Sequence, residues 1–237
     1  MLIEVDKFGL LPLPHPPTPE STYAVVDRII ESVPKEWKLS NSSPNYSTEV
    51  YYKVMDSEPW FLRKTLHDAD THPFEWFKRA IYDDHFDNMV KYYEVVQSNE
   101  LKVEREGGWK GYTLKYKLPA PFAERDLATW LLKDYSDEDN TFTVVALPAD
   151  IPLPEDATTR GVYSFFHRVR KTEDNQVEWI MGQTSDMKGN LPRWVQNYSI
   201  GGILVSDVKD FVNWLDANYG VVGEDGEESD ENFEDAE

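Results

Sequence analysis

The stretch GVYSFFHRVRKTEDNQVEWIMGQT, residues 161–184, reads as two strands and the turn between them. Tyr163, Phe165, His167 and Val169 alternate with Ser164, Phe166, Arg168 and Arg170. That is the period of two a strand shows when successive side chains leave opposite faces. Glu173, Asp174 and Asn175 supply turn chemistry before the second strand. Working outward, the same pattern predicts strands at 92–97, 101–106, 109–118, 126–134 and 141–147, punctuated by Gly107-Gly108 and the polar run 136–140. Tyr112, Leu114 and Tyr116 face one way, Thr113, Lys115 and Lys117 the other. One apolar and one wet face predicts an antiparallel sheet. Upstream, Val50, Tyr52 and Val54 alternate with polar neighbours, and a turn at Asp56 to Pro59 leads into a strand at 60–67.

Helices bracket these strands. Thr18-Pro19-Glu20 has the form of an N-cap followed by proline in the first turn, and Val26, Ile29 and Val33 recur at helical spacing up to Pro34, which is expected to stop the run. Phe74, Phe77 and Ile81 share one face after His72-Pro73, and a short helix is expected near 85–90. After Leu191-Pro192 a long apolar stripe runs from Trp194 to Leu215, with a bend expected at Gly201-Gly202. The expected class is α+β, a curved antiparallel sheet wrapped around a long C-terminal helix. Residues 1–17 read as a proline-rich extended leader, 18–219 as the folded domain and 220–237 as an acidic disordered tail.

Composition limits the function classes. The chain carries a formal charge of −20 and no cysteine. Disulfides and cysteine-based metal or redox chemistry are therefore excluded. Nine acidic residues lie between Glu224 and Glu237, and the remainder is still acidic. Phosphate backbones are bound through Lys and Arg, so no nucleic-acid partner is expected. Tight docking on anionic membranes is disfavoured for the same reason, leaving transient membrane contact through an apolar patch. The first residues lack a signal-peptide pattern and no run reaches the roughly 18–20 apolar residues of a bilayer span. These features predict a cytoplasmic, soluble chain, and the acidic tail suits a monomer.

Three segments carry a family likeness. IYDDHFDNMVKYYEVV (81–96), LPAPFAERDLATWL (118–131) and TSDMKGNLPRWVQN (184–197) stand in order inside the elements just described. They resemble the Trp-Asp segment, the Arg-Asp strand opening and the Asp-x-x-Gly-x-x-Pro-x-Trp junction of the START-like, or helix-grip, lipid-binding superfamily. Phe86-Asp87 replaces Trp-Asp. The chain looks closest to an uncharacterised fungal START-like branch. The resemblance implies a tunnel between the sheet and the C-terminal helix that holds one lipid or sterol. It also implies intracellular lipid binding and transfer, with no cofactor and no catalytic residue. In phosphatidylcholine-binding members an Arg four positions before that Asp holds phosphate; here the position is Asp83, an anion, which argues against that route.

The expected ligand-facing set on the strands is Arg63, Tyr112, Tyr116 and Trp130, with Tyr163, Phe165, His167, Trp179 and Met181. Trp194, Leu204 and Val208 are expected to roof it from the helix. Pockets are mostly apolar with a few polar groups that orient the ligand, and the competing reading is that the same residues pack a solid core. Arg63, if buried, needs an anion, either a structural carboxylate or a ligand head group. His67, Asp68, Asp70 and His72 cluster, but their spacing matches no metal site, and a solvated loop is expected. Arg125-Asp126 reads as a structural pair at a strand start. No nucleophile elbow, phosphate loop or zinc-protease motif occurs. The enzyme alternative is a cyclase-like protein in which His167 or Arg63 acts as acid or base on a hydrophobic substrate.

Overall fold

The computed structural model describes residues 8–220. The proposed acidic tail, apart from Gly220, and the first seven residues of the leader lie outside that range. A nine-stranded sheet in the order β1-β2-β3-β9-β8-β7-β6-β5-β4, antiparallel at every pairing, forms the frame. The strands are β1 (Lys38–Ser43), β2 (Thr48–Met55), β3 (Glu58–Asp68), β4 (Val96–Glu104), β5 (Lys110–Lys117), β6 (Glu124–Ser136), β7 (Thr141–Pro148), β8 (Val162–Lys171) and β9 (Gln176–Asp186). Helix α1 spans Pro19–Glu36; between β3 and β4 lie α2 (Phe74–Phe77), a π-helical turn (Lys78–Asp83) and α3 (His85–Tyr92). The last element is α4 (Arg193–Tyr219). The sheet curves around α4, as the α+β helix-grip reading requires.

Register assigns the faces. Arg63 pairs with Met181, Met181 with His167, and His167 with Val144, so these four side chains form one row across β3, β9, β8 and β7. This inner face meets α2, α3 and α4 through a cluster containing Phe77, Trp179, Phe165 and Phe211. A second inner cluster joins Phe61 and Met181 to Ile200 and Leu204. The outer face carries Trp60, Leu62, Trp109, Trp130, Leu147 and Phe166 against Val25, Val26 and Ile29 of α1.

The outer face is not wet at the centre of the sheet, contrary to the alternation seen in β8. The first six residues of β8 are all buried, because the leader lies across this face. Leu13 bridges Ala149 in parallel, and the Trp130 Nε1 donates to the Leu13 carbonyl at 2.8 Å. The Trp109 Nε1 donates to Pro17 at 2.9 Å, and Phe8 is buried beside Trp60. Residues 8–17 run as bends and isolated bridges and are packed onto the outer face from Phe8 onward.

Several local expectations are corrected. Helix α1 passes through Pro34 to Glu36; a proline in the last turn loses one hydrogen bond, and the Trp37 indole restores a tie by donating to Ser32 Oγ at 2.8 Å. The two strands expected across 92–106 are a single strand, β4, because Tyr92 ends α3 instead. Helix α4 is continuous through Gly201-Gly202. Gly201 has a different use, since a Cβ there would come within 3.3 Å of Ser40 Oγ and push α4 away from β1.

Candidate ligand-binding site

The site grows from β3. Phe61, Arg63, Thr65 and His67 point inward, fixed by their pairing with Gln183, Met181, Trp179 and Val177 of β9. Arg63 is 0% exposed. Its guanidinium carbon lies 3.9 Å from the centre of the Trp179 ring, and one Nη donates to the Leu204 carbonyl of α4 at 3.2 Å. The Nε and the other Nη have no hydrogen-bond partner, and no carboxylate lies within ion-pair distance among the described residues. Burial pushes the Arg63 pKa below its usual range, while Tyr93 and Asp207 pull it back up.

Around this cation burial shifts the titratable groups toward their uncharged forms, though Asp207 stays mostly ionised at neutral pH. Burial pushes the Asp207 carboxyl on α4 up to about 6, against the pull of Arg63. Burial likewise raises the phenols of Tyr92, Tyr93, Tyr116 and Tyr163. It lowers His67 to about 3 and His85 to about 4, and takes His167 well below its ordinary value. His167 Nδ1 accepts from the Trp179 indole at 3.0 Å, and His85 Nδ1 donates to Ile81 at 2.9 Å. Three further buried atoms lack partners there, Thr65 Oγ1, His67 Nε2 and His85 Nε2 of α3, while the Tyr163 hydroxyl lies near Thr129 and Tyr116. Native interiors leave few buried polar atoms unsatisfied, so a concentration on one face calls for an explanation.

Tyr92, Tyr93, Tyr116 and Asp207 each keep some accessible surface, yet loss of solvent is the first cause of every one of their shifts. Two hollows, of about 460 and 180 Å³, open elsewhere, on the outer side near Lys64 and Glu49 and near Lys115 and Asp126.

Comparison with known proteins follows from this geometry. The family described as "Protein of unknown function (DUF3074)" matches residues 60–215. The chain belongs to the DUF3074 family. No curated protein matches it in sequence. Among solved structures, human STARD10 superposes with a TM-score of 0.67 at 16% identity, covering 81% of this chain and 79% of that one. Human StAR-related lipid transfer protein 5 gives 0.65 at 14% identity, with 84% and 94% covered. A STAR-related lipid transfer protein from Xanthomonas axonopodis gives 0.61 at 15%, with 76% and 99% covered. At such identities the likeness shows the fold, and that fold is START-like.

In this DUF3074 chain, eight of the twelve expected site residues lie on the inner face of the sheet. These are Arg63, Tyr112, Tyr116, Tyr163, Phe165, His167, Trp179 and Met181. Leu204 and Val208 are buried on α4. Two are displaced. Trp130 points to the outer face, packed with the leader, because it pairs with Gly111 and so lies out of phase with the inward Tyr112; the missing Cβ of Gly111 leaves room for its six-membered ring. Trp194 is 74% exposed at the start of α4, so it roofs nothing; the buried side of the helix begins at Gln196.

Other placements are structural. Arg125 is buried, and its guanidinium donates to the carbonyls of Ala123, Glu124 and Lys188 and to Asn190 Oδ1. It ties the second family-like segment to the third, while Asp126 accepts from the Thr158 amide. Asp83 is exposed beside Lys78, outside the inner face. In the His67–His72 segment, His72 pairs with Asp216 at 3.0 Å and Asp70 accepts from Asn175.

Asp207, Tyr92, Tyr93 and His85 stand around Arg63 and the inner face but were not in the expected set. Asp207 had a usable signal. Ile200, Leu204, Asp207 and Phe211 recur at spacings of four, three and four, which places a carboxylate inside an apolar stripe.

Proposed function

We propose that this DUF3074 chain binds one lipid-type ligand between the inner face of its sheet and α4, and carries it without chemical change. The observation that carries this reading is Arg63, a fully buried cation tied to α4 by one Nη, with no ion pair and with its Nε and other Nη unmatched by any partner in hydrogen-bond geometry. An uncompensated internal charge costs several kcal/mol unless something pairs with it. Around it the surface is mostly aromatic and aliphatic, the character of a pocket for an apolar body with one polar end. The solved structures with this fold include proteins named for lipid transfer, which supports the same reading.

Apolar burial at about 25 cal/mol per Å² supplies the driving force, and the polar groups around Arg63 select the head group. Entry requires α4 or a neighbouring loop to part from the sheet. The ligand is a lipid or sterol, the folded unit a cytoplasmic monomer, and the membrane contact transient; no described helix is long and apolar enough to cross a bilayer. The state of His167 favours a wall over a proton shuttle, because its Nδ1 is occupied by Trp179 and its pKa is far from neutral.

Organic extraction of protein purified under non-denaturing conditions, followed by mass spectrometry, tests this. One lipid per chain is expected, with uptake from labelled vesicles. A lipid-free protein that takes nothing from vesicles contradicts it.

A further inference from the structure

The inner-face geometry bears on the head group as well as on lipid binding in general. Arg63 is held in place from two directions: its guanidinium carbon sits 3.9 Å from the centre of the Trp179 ring and one Nη is tied to the Leu204 carbonyl. The unpartnered atoms are Nε and the other Nη. If both sit on the same side of the planar group, they form the edge whose two parallel N–H bonds match the two oxygens of a carboxylate or phosphate. The group is fully buried, so this edge faces the interior and not solvent.

No neighbouring group meets hydrogen-bond geometry at that edge, although the Tyr93 hydroxyl lies close enough to both Arg63 and Asp207 to shift their pKa values. Asp207 is the nearest acid that influences Arg63, yet it forms no ion pair with it. Its carboxyl, at about 6, is mostly ionised at neutral pH and attracts Arg63 through space, but it closes no ion pair with the guanidinium. Tyr93, Tyr92 and Tyr116 contribute neutral phenols, and His67, His85 and His167 neutral imidazoles. A hydroxyl, as on a sterol, offers no charge and satisfies one donor at a time. A two-oxygen anion satisfies both donors and neutralises the guanidinium.

Resting on the lipid-binding reading above, we propose that Arg63 takes the ligand's head group side-on, and that the ligand is an acidic lipid presenting a two-oxygen oxyanion. A free fatty-acid carboxylate and a phospholipid phosphate are the two sources of that chemistry.

The test uses the full chain and compares oleate, dioleoyl phosphatidic acid, cholesterol and dioleoylglycerol by native mass spectrometry and competition binding. Wild type is expected to bind at least one of the two acidic lipids about tenfold or more tightly than both neutral ones, and oleate against phosphatidic acid identifies the source. Arg63→Met is expected to lose at least tenfold in affinity for the acidic lipid and to lose much less for the neutral ones. Arg63→Lys, which keeps the charge but not the fork, should restore only part of the loss. Neutral lipids bound as tightly as acidic ones by wild type would overturn the head-group proposal and leave lipid binding standing. Acidic-lipid affinity unaffected in Arg63→Met, with the fold intact by circular dichroism, would overturn it equally. Binding of none of the four would remove both readings.

Discussion

The two faces of the sheet are both buried, but they are finished differently. On the outer face the leader and α1 meet large side chains whose polar tips are spoken for: Trp109 and Trp130 donate to leader carbonyls, and Ser164 Oγ donates to Gly9. Two outer atoms, Trp60 Nε1 and Thr184 Oγ1, are exceptions. On the inner face the unpartnered atoms include both donors of a buried cation, two imidazole nitrogens and a threonine hydroxyl. Burial alone does not distinguish a core from a site. The satisfaction of polar groups is the measure by which the two faces differ, and it is what the proposed ligand site on the inner face rests on.

Cutting into the outer face is expected to cost most. Trp130→Ala removes a fully buried indole and its bond to Leu13, and should destabilise the chain by about 3–5 kcal/mol in urea denaturation. Lipid affinity of the folded fraction should stay unchanged; a selective binding loss would erase the distinction between the faces.

Acid is expected to act through the inner face. His67 and His85 are held near 3 and 4 against an ordinary 6.5, so the unfolded chain takes up protons first as pH falls. Their stabilisation is present above 6.5 and is lost as pH drops toward the folded values. By pH 5 that amounts to about 2 kcal/mol each, with His167 acting in the same direction. Asp207 opposes them: its raised pKa gives stability that is full below 3.8 and lost as pH rises through about 6. Three histidines against one carboxyl predict a Tm that falls between pH 7 and pH 5. A flat or rising Tm would show that the imidazoles are not buried as described.

Arg63→Met should sharpen the contrast from the other side. Removing an unpaired internal cation is expected to leave stability unchanged or raise it by about 1 kcal/mol or more, whereas loss of several kcal/mol would make Arg63 a structural residue. The smallest effect belongs to Thr18→Ala, which removes the α1 cap that accepts from the Ser21 amide and should cost about 1 kcal/mol by the same denaturation assay. Ligand binding should not respond to it.

What could be read from the chain follows the same division. β8 was legible because Tyr163, Phe165, His167 and Val169 keep a period of two against polar neighbours over its second half. β6 was not, since residues 125–132 are buried on both sides and their hydrophobicity carries no phase; Trp130 was misassigned for that reason. Trp194 was misplaced because an apolar run does not reveal where a helix first meets its partner. The leader's role was hidden because its ties are made by backbone carbonyls, which every sequence has. Arg63 was ambiguous between Trp60, Leu62 and its own phase until pairing with Met181 turned it inward.

The central claim is that the inner face of the sheet holds the ligand. Photo-crosslinking with a diazirine-bearing fatty acid, followed by peptide mapping, tests it most directly. Labels on β8, β9 and α4 at inner positions such as Phe165, Met181 and Leu204 are predicted. Labels confined to the outer face around Trp130 and Val145, or to the hollow beside Lys64 and Glu49, would contradict it.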